Sequence, residues 1–212
     1  MHLLPPGSLR FAAGVPAAVS VRGVLTFAFF CADAYVPLAV VDGRGGDSWI
    51  AGAALTLCTL LWSAASWTQA RLIGRVGPRR LDQVGFGLLA SSILGLLAVA
   101  QGAPVLATIP LWGLGGFAIG LSYAPLSVTV LGAARPGEEG ASSAAIQLTD
   151  GLGIALGTGL GGWIVAVGDD RGWAVATSTT WVFALAGVVA VGGVVASARL
   201  PRRVPTGAPA GS

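Results

Sequence analysis

The chain has 212 residues, of which 54% are hydrophobic and only 10% are charged, and its mean hydropathy is +0.79. Soluble globular domains carry about 25% charged residues. This composition therefore excludes a soluble globular domain and indicates an integral membrane protein. The formal net charge of +3 does not point to nucleic acid as a partner, because arginines between apolar runs serve to orient spans in a membrane.

Six apolar runs follow one another along the chain: 23–41, 49–70, 84–101, 104–131, 141–167 and 174–198. A helix of about 20 residues, rising about 1.5 Å per residue, crosses a hydrocarbon core of about 30 Å. The sequence therefore predicts an all-α membrane protein whose six transmembrane helices form one bundle over residues 23–198. Residues 1–22 are predicted to be a cytoplasmic segment that forms a loop, and residues 199–212 a disordered cytoplasmic tail.

The basic residues, all arginines, are distributed unevenly between the predicted loops. Two of them, Arg44 and Arg171, fall on one side of the predicted membrane, and ten fall on the other: Arg10, Arg22, Arg71, Arg75, Arg79, Arg80, Arg135, Arg199, Arg202 and Arg203. Cytoplasmic loops carry the excess of basic residues in membrane proteins. The count predicts a multi-pass protein of the cell (inner) membrane with both termini in the cytoplasm.

Two predicted spans contain a carboxyl group, which is costly in lipid and normally faces a bundle interior or a wet cavity. In the first span Asp33 is followed by Pro37, whose missing N–H leaves the carbonyl of residue 33 without its usual partner. In the fifth span Asp150 shares a helix face with Gln147, which we expect to orient it. Both spans are therefore predicted to present a polar face to the interior.

The two carboxyls are predicted to lie at the same depth. Asp33 is ten residues beyond Gly23 and Asp150 nine beyond Ala141, which places each about 14–15 Å into the membrane. No Arg falls within a predicted span, so we expect neither acid to have a cation from this chain. Our hypothesis is that both exchange protons or bind a cationic group of a substrate.

Aromatic and small polar side chains are predicted to line the same cavity. They are Tyr35 of the first span, Trp62 and Ser63 of the second, and Tyr123 of the fourth. The three aromatic rings among them can bind a cation on their faces. A structural alternative stays open: each acid is held neutral by a neighbouring partner and fixes helix contacts, and Trp62 only packs.

A short motif occurs twice, as Tyr35-Val36-Pro37-Leu38 in the first span and Tyr123-Ala124-Pro125-Leu126 in the fourth. The two spans run in opposite directions, so spans 1–3 and 4–6 are predicted to be inverted repeats. Pro37, Pro110 and Pro125 are predicted to break their helices. Gly116 and Gly120, four residues apart, predict a close helix contact.

Three segments carry longer motifs. They are FFCADAYVPL (29–38), SSAAIQLTDGLGIALGTGLGG (142–162) and the basic loop 71–80. The first and second are similar to helices seven and eleven of multidrug-type transporters of the major facilitator superfamily. The loop resembles the signature G-x-x-x-D-R-x-G-R-R of that family: Arg75, Gly77 and Arg79 match it, whereas Ala70, Gly74 and Pro78 depart from it.

The resemblance covers about residues 20–200 and implies one half of a major facilitator fold, the C-terminal one. It implies transport of hydrophobic or cationic small molecules in exchange for protons, with spans 1, 2, 4 and 5 around the cavity and a separate N-terminal half as partner. It also implies a gating role for the loop residues Arg71, Arg75, Gly77, Arg79 and Arg80. The alternative for this loop is orientation by positive charge alone.

A second class of function stays open, a six-helix membrane protein that does not transport and is a truncated remnant or an assembly partner. We do not expect an enzyme, because the spans hold no His and the chain has no phosphate-binding loop or Ser-His-Asp set. Cys31 and Cys58 lack metal-ligand spacing, so neither a metal nor a cofactor is predicted.

Overall fold

The computed structural model describes residues 15–134 and 137–203, and within these ranges the chain is helical with no β-strand. Six long helices follow in order: α1 (Val15–Asp33), α2 (Ser48–Val76), α3 (Pro78–Ala100), α4 (Thr108–Gly132), α5 (Glu139–Asp170) and α6 (Val175–Ala196). Short helical pieces flank them: Val36–Leu38 and the π-helical Ala39–Gly43 after α1, and the 3-10 turns Val105–Ala107 and Ser197–Arg199.

The six helical stretches are each long and apolar enough to cross a membrane: Pro16–Gly43, Ser48–Val76, Pro78–Ala100, Val105–Gly132, Glu139–Asp170 and Val175–Arg199. This confirms the prediction of an all-α protein with six apolar spans. The sidedness of the termini stays a prediction.

The first helix begins at Val15 rather than at residue 23, so the prediction that all of 1–22 is a loop is wrong for its last part. Arg22 lies inside α1 and is only 3% exposed. It had been assigned to a loop because an arginine next to an apolar run usually marks a membrane boundary. Residues 1–14 lie outside the described ranges.

The predicted basic loop 71–80 is also helical. Helix α2 continues through Arg71 and Arg75 to Val76, and α3 begins at Pro78, so Gly77 alone connects them. Gly77 has a φ of 82°, which L side chains rarely adopt. Proline is favoured in the first helical turn because its missing N–H has no partner there.

Of the three predicted helix breaks, one is observed. The chain leaves the α-helix after Asp33 and restarts at Val36, with Pro37 in the new first turn. The other two predictions are wrong, because α4 runs unbroken from Thr108 to Gly132. Pro110 lies in its first turn, where a proline costs no hydrogen bond, and Pro125 is accommodated within the helix. The two Tyr-x-Pro-Leu motifs therefore differ in backbone structure.

Helices α1 and α5 run in the same direction and pack through a row of buried glycines. A Cβ at Gly153 would lie 2.2 Å from Thr26 Oγ1, and a Cβ at Gly157 would lie 2.6 Å from the carbonyl oxygen of Phe27. One turn further along, Gly161 packs against the Tyr35 ring. The spacing of four residues lets the two backbones approach closely.

Helices α2 and α4 form a second parallel pair of this kind. A Cβ at Gly116 would lie 2.0 Å from the carbonyl oxygen of Cys58, and a Cβ at Gly120 would lie 2.5 Å from that of Trp62. The close contact predicted for Gly116 and Gly120 is confirmed.

The remaining helices and the end of the chain complete the bundle. Helix α3 packs antiparallel on α4 and on α6, and α6 also packs on α1. After the turn Ser197–Arg199, Leu200 is 3% exposed, so residues 199–203 are folded onto the bundle and are not a disordered tail. Residues 204–212 lie outside the described ranges.

The glycine row on α5 can be tested by a matched pair of variants. Gly157→Ala should destabilise the protein by about 1–3 kcal/mol, because the added methyl group overpacks the α1 contact. Gly159→Ala, on the open side of the same helix where nothing lies within 4 Å, is the control and should change stability by less than about 0.5 kcal/mol. Unfolding of both variants in mixed micelles measures the difference, and equal effects would contradict the packing described.

Candidate functional site

A largely buried ion pair joins α1 and α5. Arg22 Nε donates to Asp150 Oδ1 at 2.6 Å, and Nη2 donates to Oδ2 at 2.8 Å. The two side chains are 3% and 13% exposed. A planar guanidinium that meets both oxygens of a carboxylate is the strongest geometry for such a pair, and it fixes the position of both groups.

Helix α4 completes the surroundings of Arg22. Nη1 donates to the backbone oxygen of Tyr123 and to Ser127 Oγ, the latter at 2.9 Å. The guanidinium also stacks 3.2 Å from the centroid of the Tyr123 ring, and the Tyr123 hydroxyl donates to Asp150 Oδ2 at 3.0 Å. We call Arg22, Tyr123, Ser127 and Asp150 the Arg22 cluster. It joins three helices through charge-assisted hydrogen bonds.

This geometry corrects two predictions. The expectation that no arginine of this chain reaches a membrane carboxyl is wrong, because Arg22 was counted as a loop residue. The expectation that Gln147 orients Asp150 is also wrong: Gln147 is exposed, and Tyr123 and Arg22 hold the carboxylate instead. The sequence does contain a signal that Arg22 lies inside the first span. The mostly apolar run 16–21 continues that span on the N-terminal side of Arg22.

The sequence analysis did not identify a second buried acid, Asp82, as an interior group. Asp82, in the second turn of α3, is fully buried, and neither of its carboxyl oxygens has a hydrogen-bond partner among the described residues. Ser122 Oγ of α4 is buried nearby and is likewise unpartnered. The predicted third span begins at residue 84 and therefore does not include Asp82.

Asp33 occupies a different part of the bundle. Its Oδ1 accepts a hydrogen bond of 2.8 Å from Nε1 of Trp112, a fully buried side chain of α4. This is the kind of neighbouring partner that the structural alternative for Asp33 requires. An uncharged acceptor in the same place would satisfy the indole N–H equally well.

The two acids are not level. Asp33 is the last residue of α1, eleven residues beyond Arg22, and this spacing corresponds to about 16 Å along the helix. Asp150, the partner of Arg22, lies in the first half of α5. The predicted shared depth is therefore wrong, because it was counted from the predicted helix starts.

A chain of four aromatic rings connects the two levels. Trp112 stacks on Phe29 with centroids 5.0 Å apart, Phe29 meets Trp62 edge-on at 5.5 Å, and Trp62 meets Tyr123 edge-on at 5.5 Å. One end hydrogen-bonds to Asp33 and the other to Asp150. Trp62 and Tyr123 thus lie between the acids, as an aromatic core of α1, α2 and α4.

The other predicted cavity residues lie elsewhere. Tyr35, two residues after the end of α1, donates its hydroxyl to the backbone oxygen of Thr158 at 2.7 Å. This bond connects the segment after α1 to α5, away from the Arg22 cluster. Ser63 is exposed on α2, and its hydroxyl bonds its own helix at Thr59 O. Arg71, Arg75, Arg79 and Arg80 lie at the α2–α3 turn.

The described residues hold no group of three or more His, Cys, Asp or Glu side chains placed to bind a metal ion. Cys31 and Cys58 are both buried and free. Comparison of the chain with protein-family models and with curated protein sequences gives no match. The arrangement of charges described above is therefore the basis for any functional proposal.

The ion pair makes a sharp prediction about stability. Arg22→Gln should destabilise the protein by about 3–5 kcal/mol, because it leaves a buried carboxylate without its partner. Asp150→Asn should cost a similar amount. In the double variant most of the loss should be recovered, since no uncompensated charge remains. Unfolding in mixed micelles measures all four proteins, and additive losses would show that the two side chains do not interact.

Proposed function

We propose that the chain is the C-terminal half of a proton-coupled transporter, of major facilitator type, that exports hydrophobic or cationic small molecules across the cell membrane. The observation that carries the proposal is the Arg22 cluster, an ion pair within the apolar helices, together with a further acid, Asp82, that is fully buried in the same bundle. Ionisable groups at this depth are costly and are normally retained for function.

The charge balance of the cluster supports proton binding. One guanidinium can compensate the charge of one carboxylate. In this structure the Nε and Nη2 donors of Arg22 both bind the Asp150 carboxylate. Arg22, Asp150 and the buried Asp82 are together neutral only when one of the two acids carries a proton. A proton on Asp150 would remove the negative charge of the ion pair and weaken the bond of this side chain to Arg22. The cluster would in this way couple protonation to the contact between α1 and α5.

The packing of the helices supports the proposed inverted repeats better than the Tyr-x-Pro-Leu motif does. Exchanging α1, α2 and α3 for α4, α5 and α6 preserves the most extensively packed pairs: α2 with α4 becomes α5 with α1, and α3 with α4 becomes α6 with α1. Both α1–α5 and α2–α4 are parallel pairs. This is the pairing expected of two three-helix repeats related by an axis in the membrane plane.

The proposal of a second six-helix half rests on the exposed polar faces. The most apolar windows of α2 and α5 are 28% and 22% buried, less than those of the other four helices. Thr56, Thr59 and Ser63 lie on the exposed face of α2, and Gln147 lies on that of α5. Contact of such polar groups with lipid is unfavourable, because the hydrocarbon core offers them no hydrogen-bond partners. A partner bundle that covers both helices would enclose a cavity between the two halves.

The same faces also favour the second candidate, a membrane protein that assembles with a partner without transporting anything. The two functions differ in whether the buried acids exchange protons. An assembly role needs only the exposed faces of α2 and α5. Transport needs Asp150 and the acids connected to it as well.

The test is uptake of a lipophilic cation, tetraphenylphosphonium, into proteoliposomes with an imposed pH gradient, using the complete protein together with any co-purifying six-helix chain. Asp150→Asn should lower gradient-driven uptake at least tenfold, because removing a proton-transfer group costs about 10²–10⁴ in rate at such sites. Asp47→Asn, an exposed loop acid, is the control. Undiminished transport by Asp150→Asn would remove the Arg22 cluster from the mechanism.

Asp33→Asn separates charge from hydrogen bonding at the other end of the aromatic chain. The amide oxygen can still accept from Trp112, so stability should change by less than about 1 kcal/mol. If Asp33 carries protons or binds the cation, uptake falls even though the protein unfolds as before. Normal uptake together with normal stability would leave Asp33 with a structural role only.

A further inference from the structure

We propose that the arginine-rich end of the bundle contains a binding site for the phosphate headgroup of an anionic phospholipid. The site is a cavity of about 920 Å³ at the α2–α3 turn, lined by Arg75, Gly77, Arg79, Arg80, Arg202 and Arg203 among others. We call it the arginine pocket. It does not depend on the transport proposal.

The pocket is assembled from three separate parts of the chain. Arg75 comes from the last turn of α2, Arg79 and Arg80 from the first turn of α3, and Arg202 and Arg203 from the segment that follows α6. Gly77 allows this approach, because a Cβ there would lie 2.2 Å from the backbone oxygen of Arg202. Orientation in a membrane requires only positive charge near the end of a span. It does not require arginines from distant segments to converge on one cavity.

The pocket carries uncompensated positive charge. Among the described residues, none of its five arginines forms a salt bridge with an acid, and the segments outside the described ranges contain no Asp or Glu. The C-terminus of α2 and the N-terminus of α3 meet at Gly77, so their helix dipoles oppose each other there and the charge of the pocket comes from its arginines. Arginine forks are suited to phosphate oxygens.

The surroundings favour a lipid as the source of the phosphate. Trp67, 73% exposed, lies about two turns before Arg75 on α2, further into the apolar span. Val84, 54% exposed, follows Arg80 by one turn on α3. A headgroup in the pocket would therefore have apolar surface for its acyl chains directly beneath it. Basic pockets between helix ends are known to hold acidic lipid headgroups.

The experiment is native mass spectrometry of the full chain in detergent, titrated with phosphatidylglycerol and, separately, with phosphatidylcholine. Phosphatidylglycerol should bind more tightly to the wild-type protein. Arg79→Gln and Arg202→Gln should each weaken its binding about fivefold, as expected for one charge near an anionic group. Arg202 lies outside the helices, so its variant tests the site without disturbing the bundle.

Arg71→Gln is the matched control, because Arg71 is exposed on α2 at the same end of the bundle and does not line the pocket. It should change lipid binding less than about twofold. An equal loss in Arg71→Gln would overturn the proposal in favour of diffuse attraction, and so would equal binding of phosphatidylcholine. Displacement of the lipid by equimolar inorganic phosphate would also overturn it, since the ligand would then be the free anion.

Discussion

The structure depends on one buried ion pair. Arg22 lies on α1 and Asp150 on α5. An isolated charge on either helix would raise the free energy of membrane insertion by about 2.5–3.5 kcal/mol. Their bidentate bond, together with the Tyr123 hydroxyl and the Ser127 hydroxyl, offsets that cost. Because the donor and the acceptor lie on different helices, the charges are compensated only in one register of α1 against α5. The glycines at 153 and 157 are then brought opposite Thr26 and Phe27.

The ion pair, the glycine row and the aromatic chain act on the same helices. Close backbone contact between α1 and α5 is combined with directional contacts, the Arg22 cluster near one end and the bond from Tyr35 to Thr158 near the other. On its other side α1 is connected through Phe29 to Trp62 and Trp112. The Arg22 cluster and Asp33 are therefore connected both through α1 and through the row of rings.

The sequence predicted the parts of the fold that depend on composition and simple periodicity. Six apolar spans and the close contact of Gly116 and Gly120 follow from residue type and spacing alone, and both are present. The candidate site could be predicted only in part. Asp150, Trp62 and Tyr123 were identified as interior groups, and they do lie together, but their partner Arg22 was assigned to a loop and the acid Asp82 was not included in the third span.

Those errors share a physical cause. A rule that places arginines and acids outside the membrane is correct for isolated charges, and it fails when charges on distant helices compensate one another. Asp150 and Arg22 are 128 residues apart in the chain, and no local pattern reveals their proximity. The predicted depth of Asp33 relative to Asp150 is wrong for the same reason. It was counted from helix starts, and the start of the first helix was placed directly after Arg22. The breaks expected at Pro110 and Pro125 failed for a separate reason, because a proline in a first turn costs no hydrogen bond and a long helix can accommodate one in its interior.

The central claim is that Asp150 is a carboxylate bound to the Arg22 guanidinium inside the membrane. Infrared difference spectroscopy of the reconstituted protein, with isotope-labelled aspartate and Asp150→Asn as the reference, reports the ionisation of this side chain directly. The account predicts that at neutral pH the variant loses a carboxylate band and no band of a protonated acid. Loss of a protonated-acid band instead would show that Asp150 is neutral in the resting protein, and the ion pair could not be the interaction that holds α1 to α5.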